Sequence, residues 1–252
     1  MARVLALANQ KGGVAKTTST LNLGVALVEL GYRVLCVDMD PQGNLTMSQG
    51  LNPDDINPSM FNVLVQGVDI RDVVYRREVD LAASSIDLAG ADMSLSSVIG
   101  RERVLSKALM MVRDEYDFIL IDTPPSLGLL TINALTAADG VIVPVQCEYL
   151  SLRGLAQLER TMELVRENLN PGVHIAGILP TMYDSRTIHG GEAIGILRDS
   201  FGDLVFQTVV RKTIKFAEAP VRGASIIAYA PQSEAAEAYR ALAREVLNGK
   251  KV

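Results

Sequence analysis

The sequence predicts an α/β fold in which a mostly parallel, twisted sheet is flanked by helices. Three observations carry this expectation. Short runs of aliphatic and β-branched residues alternate with longer stretches of helical period. The runs are apolar at nearly every position, as strands covered on both faces by crossover helices are. Turn sequences bearing glycine or aspartate follow the runs at the ends where parallel sheets carry functional loops.

Along the chain, the first run is Val4–Ala8, and a helix over Thr18–Leu30 follows it with Leu21, Val25 and Val28 at helical spacing. Further strands are expected at Val34–Val37, Asp80–Ala83, Phe118–Ile121, Val141–Val145 and Ile175–Leu179. Gln49–Ser59, with two prolines and several Asn and Asp residues, reads as a loop. Leu152, Leu155, Leu158, Met162, Val165 and Leu169 step by three or four, marking the core face of a long helix that stops near Asn170-Pro171-Gly172. A last helix begins after Pro231-Gln232-Ser233, with Ser233 as its N-cap and Ala235, Ala238, Tyr239, Leu242 and Val246 facing the sheet. Neither an internal repeat nor a low-complexity linker divides the chain, so residues 1–252 are expected to form one domain.

Bulk properties narrow the function classes. A 252-residue chain with 48% hydrophobic and 21% charged residues has the make-up of a soluble globular protein with a sizeable core, not of a disordered one. No secretory leader opens the chain, and no apolar stretch approaches the roughly 18 residues of a membrane span. Cys36 and Cys147 lie far apart in or beside apolar runs, as buried reduced thiols of a cytoplasmic protein do. The two histidines, His174 and His189, form no ligand cluster at metal spacing. A net charge of −5 excludes a surface that is basic all over but leaves room for a local basic patch.

The segment Lys11-Gly12-Gly13-Val14-Ala15-Lys16-Thr17-Thr18 lies between the first strand and the first helix. There, backbone N–H groups around small residues can close on phosphate oxygens while the helix N-terminus supplies partial positive charge. Gly12 and Gly13 give room, Lys16 would pair with the β- and γ-phosphates, and the Thr17 hydroxyl would ligate Mg²⁺. Gln10 and Ala15 stand where the general pattern G-x-x-x-x-G-K-[ST] has glycines. Taken alone, such a segment could equally be a tight Gly-Gly turn. Two further segments argue for the phosphate loop. Asp122 ends the apolar run Phe118–Ile121, where an acid can reach Mg²⁺ through water, and Asp38-Met39-Asp40-Pro41-Gln42-Gly43-Asn44 follows another strand. Together they predict a single-domain P-loop NTPase.

These segments, with Asp122-Thr123-Pro124-Pro125-Ser126, Thr181-Met182-Tyr183-Asp184 and Glu218-Ala219-Pro220, closely resemble the ParA/Soj partition ATPases of the MinD-like, deviant-Walker group, in order and over nearly the whole length. The resemblance implies a slow ATPase that uses ATP and Mg²⁺ and forms an ATP-dependent sandwich homodimer. It implies that Lys11 reaches across the interface to the partner's nucleotide, Lys16 holds the phosphates in its own subunit, Thr17 binds Mg²⁺, Asp122 acts through metal-bound water and Asp40 positions the attacking water. The nucleotide would be cradled by Lys11, Gly12, Gly13, Val14, Ala15, Lys16, Thr17 and Thr18. Where the family carries Pro-Arg-Asn near adenine this chain has Arg211-Lys212-Thr213, leaving Arg211 and Thr213 as the adenine candidates.

Arg211, Lys212, Lys215 and Arg222 face a single acid, Glu218, between Leu204 and Arg222. Four scattered cations ordinarily make a solvated face. The resemblance shifts the reading, because Arg186 and Lys215 match basic positions with which Soj-like proteins hold DNA without reading its sequence. It further implies a ParB-like centromere-binding partner, and a cytoplasmic protein that associates with the nucleoid when ATP is bound. A MinD-like membrane protein would need a terminal amphipathic helix, and the tail after Leu247, Asn-Gly-Lys-Lys-Val, does not supply one. An iron–sulfur ATPase would need exposed bridging thiolates, which Cys36 and Cys147 do not offer. Two alternatives stay open: a positioning ATPase for a non-DNA cargo, and a nucleotide-dependent scaffold that scarcely hydrolyses ATP. The second turns on Ala15, whose methyl is strained if its backbone is left-handed and harmless if it is helical.

Overall fold

A computed structural model describes residues 1–147, 152–184 and 188–249, with the side chains of 152, 153 and 188–190 left out. Arg186 and the side chains of Leu152 and His189 therefore lie outside the described residues. The strands are β1 (Arg3–Leu7), β2 (Val34–Asp38), β3 (Val74–Arg76), β4 (Asp80–Ala82), β5 (Phe118–Asp122), β6 (Gly140–Gln146) and β7 (His174–Thr181). The helices that bear on the site are α1 (Lys16–Glu29), α2 (Asn44–Met47), α3 (Ala91–Ser94), α4 (Val104–Met110), α5 (Leu129–Ala137), α6 (Leu152–Asn168), α7 (Ile188–Phe201), α8 (Lys215–Val221), α9 (Ile226–Tyr229) and α10 (Glu234–Leu247).

The strands form one sheet in the order β3-β4-β2-β5-β1-β6-β7. Every pairing is parallel except that of β3 with β4, which closes one edge as a short antiparallel ribbon. The expected parallel sheet is present, and β3 is the strand its pattern did not announce. Three residues, Val74, Tyr75 and Arg76, are too few to show a period, and none is fully buried.

Alternation of side chains along each strand divides the core into two faces. Leu5, Leu7, Cys36, Leu81 and Leu120 join the α1 and α10 side, while Val4, Ala6, Leu35, Val37, Ile119 and Ile121 join the α4 and α5 side. Leu155, Leu158, Met162 and Val165 of α6 pack on Val141, Val143 and Val145 of β6. In α10, Ser233 caps the helix by accepting from the Ala236 amide, and Ala235, Ala236, Tyr239, Leu242 and Val246 are buried. Ala238 is only half-buried; the neighbouring Ala236 takes the core position. The Tyr239 hydroxyl lies 3.0 Å from Ser19 Oγ, so α10 is pinned to α1 inside the core as well as by packing.

The strand order places the site. The chain runs from β1 outward to β2 on one side, while β6 and β7 lie on the other, and a crevice opens beyond the carboxyl ends of the strands at such a reversal. Asp38 and Asp122 end adjacent strands in register, and Leu7, which pairs with Asp122, leads into the Gly-rich loop.

Candidate functional site

The loop between β1 and α1 is strapped at both ends. Asn9 Nδ2 donates to the Pro144 carbonyl at 2.8 Å, and Asn9 Oδ1 accepts the Lys11 amide at 3.0 Å. At the other end Thr181 Oγ1 donates to the Val14 carbonyl at 3.0 Å. Between them the loop turns through left-handed conformations at Gly13 (φ 72) and Ala15 (φ 68). Helix α1 then starts with no side chain capping it and no acid in its first turn. Its leading amides and the positive end of its dipole therefore face the crevice, which suits an anion.

Ala15 thus has the conformation that favours glycine. Among the described residues, the only other non-glycine residue with positive φ is Met182, at 53°. Both line the same crevice, and strain gathered in this way is a common mark of functional sites. Left-handed backbone costs an L-residue roughly 1–2 kcal/mol, of which glycine's freedom in the unfolded chain returns part. Ala15→Gly is accordingly expected to raise stability by about 0.5–1 kcal/mol, read as a higher urea midpoint at unchanged slope. A lower midpoint would mean that the methyl makes contacts outweighing its strain.

The crevice has a volume of about 590 Å³ and is lined by Gly12, Gly13, Ala15, Lys16, Thr17 and Thr18, with Asp40, Gln42 and Asn44 on one side and Pro220 and Val221 on another. Lys16 is 7% exposed, and its Nζ lies 3.4 Å from the Lys11 carbonyl. Burial lowers its pKa, while Asp122 and Asp40 oppose that by raising it. Asp122 is fully buried: Thr17 Oγ1 donates to its Oδ2 at 2.6 Å and Thr20 Oγ1 to its Oδ1 at 3.4 Å. Burial, then the neighbouring Asp38, push the Asp122 carboxyl up to about 8. Asp38, held by the Thr46 amide and hydroxyl at 2.9 and 2.7 Å, is raised to about 6, chiefly by burial.

Three buried acids, Asp38, Asp40 and Asp122, thus gather beside one buried ammonium, and burial and neighbouring acids raise the Asp38 and Asp122 carboxyls because positive charge is short there. A small divalent cation would supply that charge and favour the ionised acids. Thr17 Oγ1 and Asp122 Oδ2, 2.6 Å apart, are hard oxygen donors close to the roughly 3 Å edge of an octahedral Mg²⁺ shell, whether they bind it directly or through water. The Asp40 amide donates to Asp38 Oδ1 at 3.1 Å, its carbonyl accepts from Ser84 Oγ at 2.9 Å, and its Oδ1 accepts the Gln42 amide at 3.0 Å. Asp40 is therefore a fixed carboxylate on the crevice wall.

A second cavity of about 250 Å³ adjoins the first through Ala15, Thr18 and Met182, and Val210, Arg211, Lys212, Thr213 and Phe216 line its far side. The adenine candidates Arg211 and Thr213 both stand there, and Arg211 also pairs with Glu234 at 3.0 Å on the surface. Lys215 is exposed at the first position of α8, the helix whose other end supplies Pro220 and Val221 to the crevice. Lys11 is exposed, and its Nζ donates to Gln146 Oε1 at 2.8 Å. Cys36 and Cys147 are buried, and burial pushes both thiols up, that of Cys147 to about 11, which suits inert structural cysteines.

Of the expected residues, Gly12, Gly13, Ala15, Lys16, Thr17, Thr18 and Asp40 thus line one crevice, Asp122 is buried beneath it against Thr17, and Lys11, Val14 and Lys215 are not on its wall. Sequence reasoning missed Met47, Ser48 and Val221 on its wall, since nothing in their type or spacing marks them. It also missed Thr20 and Thr46, which orient the buried acids. Met182 and Pro220 lie inside segments already singled out.

A family profile described as AAA domain matches residues 2–175. The sporulation initiation inhibitor protein Soj of Bacillus subtilis is 47% identical over 249 residues, covering 98% of both chains. The chromosome partitioning protein ParA of Caulobacter vibrioides is 41% identical over 251 residues, covering 98% of this chain and 94% of its own. The crystal structure of cobyrinic acid a,c-diamide synthase from Mycobacterium smegmatis with bound ADP and magnesium superposes with a TM-score of 0.87 at 43% identity, covering 98% of this chain and 95% of that one.

Proposed function

From the premise that this chain belongs to the ParA/Soj family of positioning ATPases, we propose that it is an ATP-dependent DNA-partitioning ATPase. Mg²⁺ and ATP occupy the crevice. The phosphates lie on the α1 N-terminus against Lys16, Thr17 and Asp122 serve the metal, and the base enters the cavity beside Arg211 and Thr213. The observation that carries this reading is the Lys16–Thr17–Asp122 arrangement beneath an uncapped helix N-terminus. Phosphoryl transfer asks a protein mainly for positioning and charge, and those are what this arrangement supplies. With its nucleotide bound, the subunit pairs face to face with a second copy, and Lys11 of each reaches the other's phosphates. Hydrolysis, slow until a ParB-like partner stimulates it, separates them.

The dimer binds duplex DNA without sequence preference and so sits on the nucleoid. Lys215 supports this part of the proposal through its place. A helix N-terminus is where a cation is least favoured, so its charge there serves something other than the helix. Helix α8 runs from Lys215 to Pro220 and Val221 on the crevice wall, which gives nucleotide occupancy a short path to the basic patch.

Fluorescence anisotropy on a non-specific duplex tests the DNA step. Binding is expected with ATP and not with ADP, falling steeply with salt because phosphate contacts release counterions. Lys215→Glu should weaken it by roughly tenfold, and more together with Arg186→Glu. Affinity that is equal with and without ATP, or that survives the double substitution, would leave a non-DNA cargo as the better reading.

A further inference from the structure

Asp40 stands in a loop, and a carboxylate that orients an attacking water has to be held to within about half an ångström. The loop supplies part of that hold itself. The Gln42 amide donates to Asp40 Oδ1 at 3.0 Å, and the Gly43 amide donates to the Asp40 carbonyl at 2.9 Å. Bonds of this kind shape a turn but move with it. Two others tie the peptide groups of Asp40 to the sheet. Its amide donates to Asp38 Oδ1, at the tip of β2, at 3.1 Å, and its carbonyl accepts from Ser84 Oγ at 2.9 Å. Ser84 lies just beyond the end of β4, the strand that pairs in parallel with β2.

Ser84 also reaches Asp38 by a second route. Its amide donates to Thr46 Oγ1 at 3.0 Å, and the Thr46 hydroxyl and amide donate to Asp38 Oδ2 at 2.7 and 2.9 Å. The bonds close a ring through Ser84, Thr46, Asp38 and Asp40, and each proton in it has one place to go. Because the Thr46 hydroxyl is committed to the carboxylate, its oxygen accepts from the Ser84 amide. The Ser84 hydroxyl has the Asp40 carbonyl at 2.9 Å, while the Ser85 carbonyl, at 3.5 Å, is too far to compete. Ser84, Thr46 and Asp38 are fully buried, so water offers these groups no substitute partner. Ser84 does not line the crevice, and its effect on a nucleotide there passes through Asp40.

We propose that Ser84 is a positioning residue for ATP hydrolysis: its hydroxyl fixes the peptide of Asp40, and with it the carboxylate that orients the attacking water. This rests on the proposed role of Asp40. Without the hydroxyl, the Ser84 amide still holds Thr46, and Thr46 still holds Asp38. The loop therefore keeps its fold while Asp40 gains freedom. Nucleotide binding draws on Lys16, Thr17 and the start of α1, none of which belongs to the ring.

Single-turnover hydrolysis of ATP with Mg²⁺, beside ATP affinity from calorimetry, tests this in the full chain. Ser84→Ala is expected to slow hydrolysis by about tenfold and to leave the dissociation constant within about twofold, since a small misplacement of a catalytic group costs rate and not ground-state binding. Ser59→Ala is the structural control. Ser59 is as buried as Ser84, and its hydroxyl lies 2.8 Å from Ser85 Oγ without bonding to Asp40. Its loss should lower the urea midpoint about as much as Ser84→Ala does, with hydrolysis within about twofold of the parent. In an Asp40→Ala background, Ser84→Ala should slow the residual rate no further. Four results would each overturn the proposal: Ser84→Ala hydrolysis within about twofold of the parent, equal slowing by Ser59→Ala, affinity lost in proportion to rate, or a further drop in the Asp40→Ala background. Asp40→Ala protein that hydrolyses ATP like its parent would instead remove the role of Asp40 itself, so the two failures are told apart.

Discussion

Lys16→Ala protein is expected to bind Mg²⁺ and ATP roughly 100-fold more weakly than its parent and to release no phosphate above background. The estimate follows from charge-assisted hydrogen bonds to a buried ammonium, each contributing about 1.5–3 kcal/mol, with 100-fold equal to about 2.7 kcal/mol. The setting of Lys16 favours the upper end. It is the one buried ammonium among the described residues facing Asp38, Asp40 and Asp122. Without it, an incoming polyphosphate meets Asp40 on the wall with Asp38 and Asp122 behind it, and the α1 dipole and the metal alone oppose their repulsion. Titration calorimetry with Mg²⁺ and ATP measures the loss, with circular dichroism checking that the variant folds. Affinity within threefold of the parent would mean that the nucleotide does not lie against Lys16. Every other step, from pairing to DNA binding, would then need a different site.

The route from sequence to this site was legible where one residue type satisfies one physical demand. Strands covered on both faces must be apolar throughout, so β1, β2, β5, β6 and β7 were readable to within a residue or two of their ends. The phosphate loop was readable because few residues besides glycine permit its turns, and few besides lysine and threonine place an ammonium and a hydroxyl at a helix start. What stayed hidden depends on contacts between distant segments. Thr46 becomes the partner of Asp38 only after α2 folds back over β2. Gln146 meets Lys11 across 135 positions of sequence, through the parallel pairing of β1 with β6. No local pattern predicts either.

Ala15 shows the complementary limit. Its place in the loop was plain, yet its methyl meant opposite things for a helical and a left-handed backbone. The observed φ of 68° answers that question. The sequence could not, since neighbouring Val14 and Lys16 allow both conformations and the loop is held by long-range bonds to Pro144 and Thr181 that no local pattern shows. A strained loop that is held from outside can keep its shape at a modest cost in stability. The slow hydrolysis proposed above has two candidate causes, the loop and an incomplete catalytic arrangement.

Asp40→Ala separates these causes and is the second large effect expected. Asp40 is 6% exposed, and the bonds to Asp38, Gln42 and Ser84 fix its backbone and one carboxylate oxygen on the crevice wall. A carboxylate so fixed can orient a water for in-line attack without itself binding the phosphates. Its removal should lower phosphate release by at least about 100-fold, the usual range for an oriented acid–base group. ATP binding should persist or strengthen, because the carboxylate on the crevice wall is gone. The expected product is a long-lived ATP dimer, detectable by light scattering as doubled mass. Release within threefold of the parent would remove Asp40 from the mechanism, and a persistent monomer with bound ATP would remove the sandwich dimer. Read beside Ala15→Gly, the result locates the slow step. If relaxing the loop raises turnover in the parent but not in the Asp40→Ala protein, strain limits a chemistry that Asp40 performs. If it raises turnover in neither, the loop is already competent, and the rate waits on whatever completes the arrangement around Asp40.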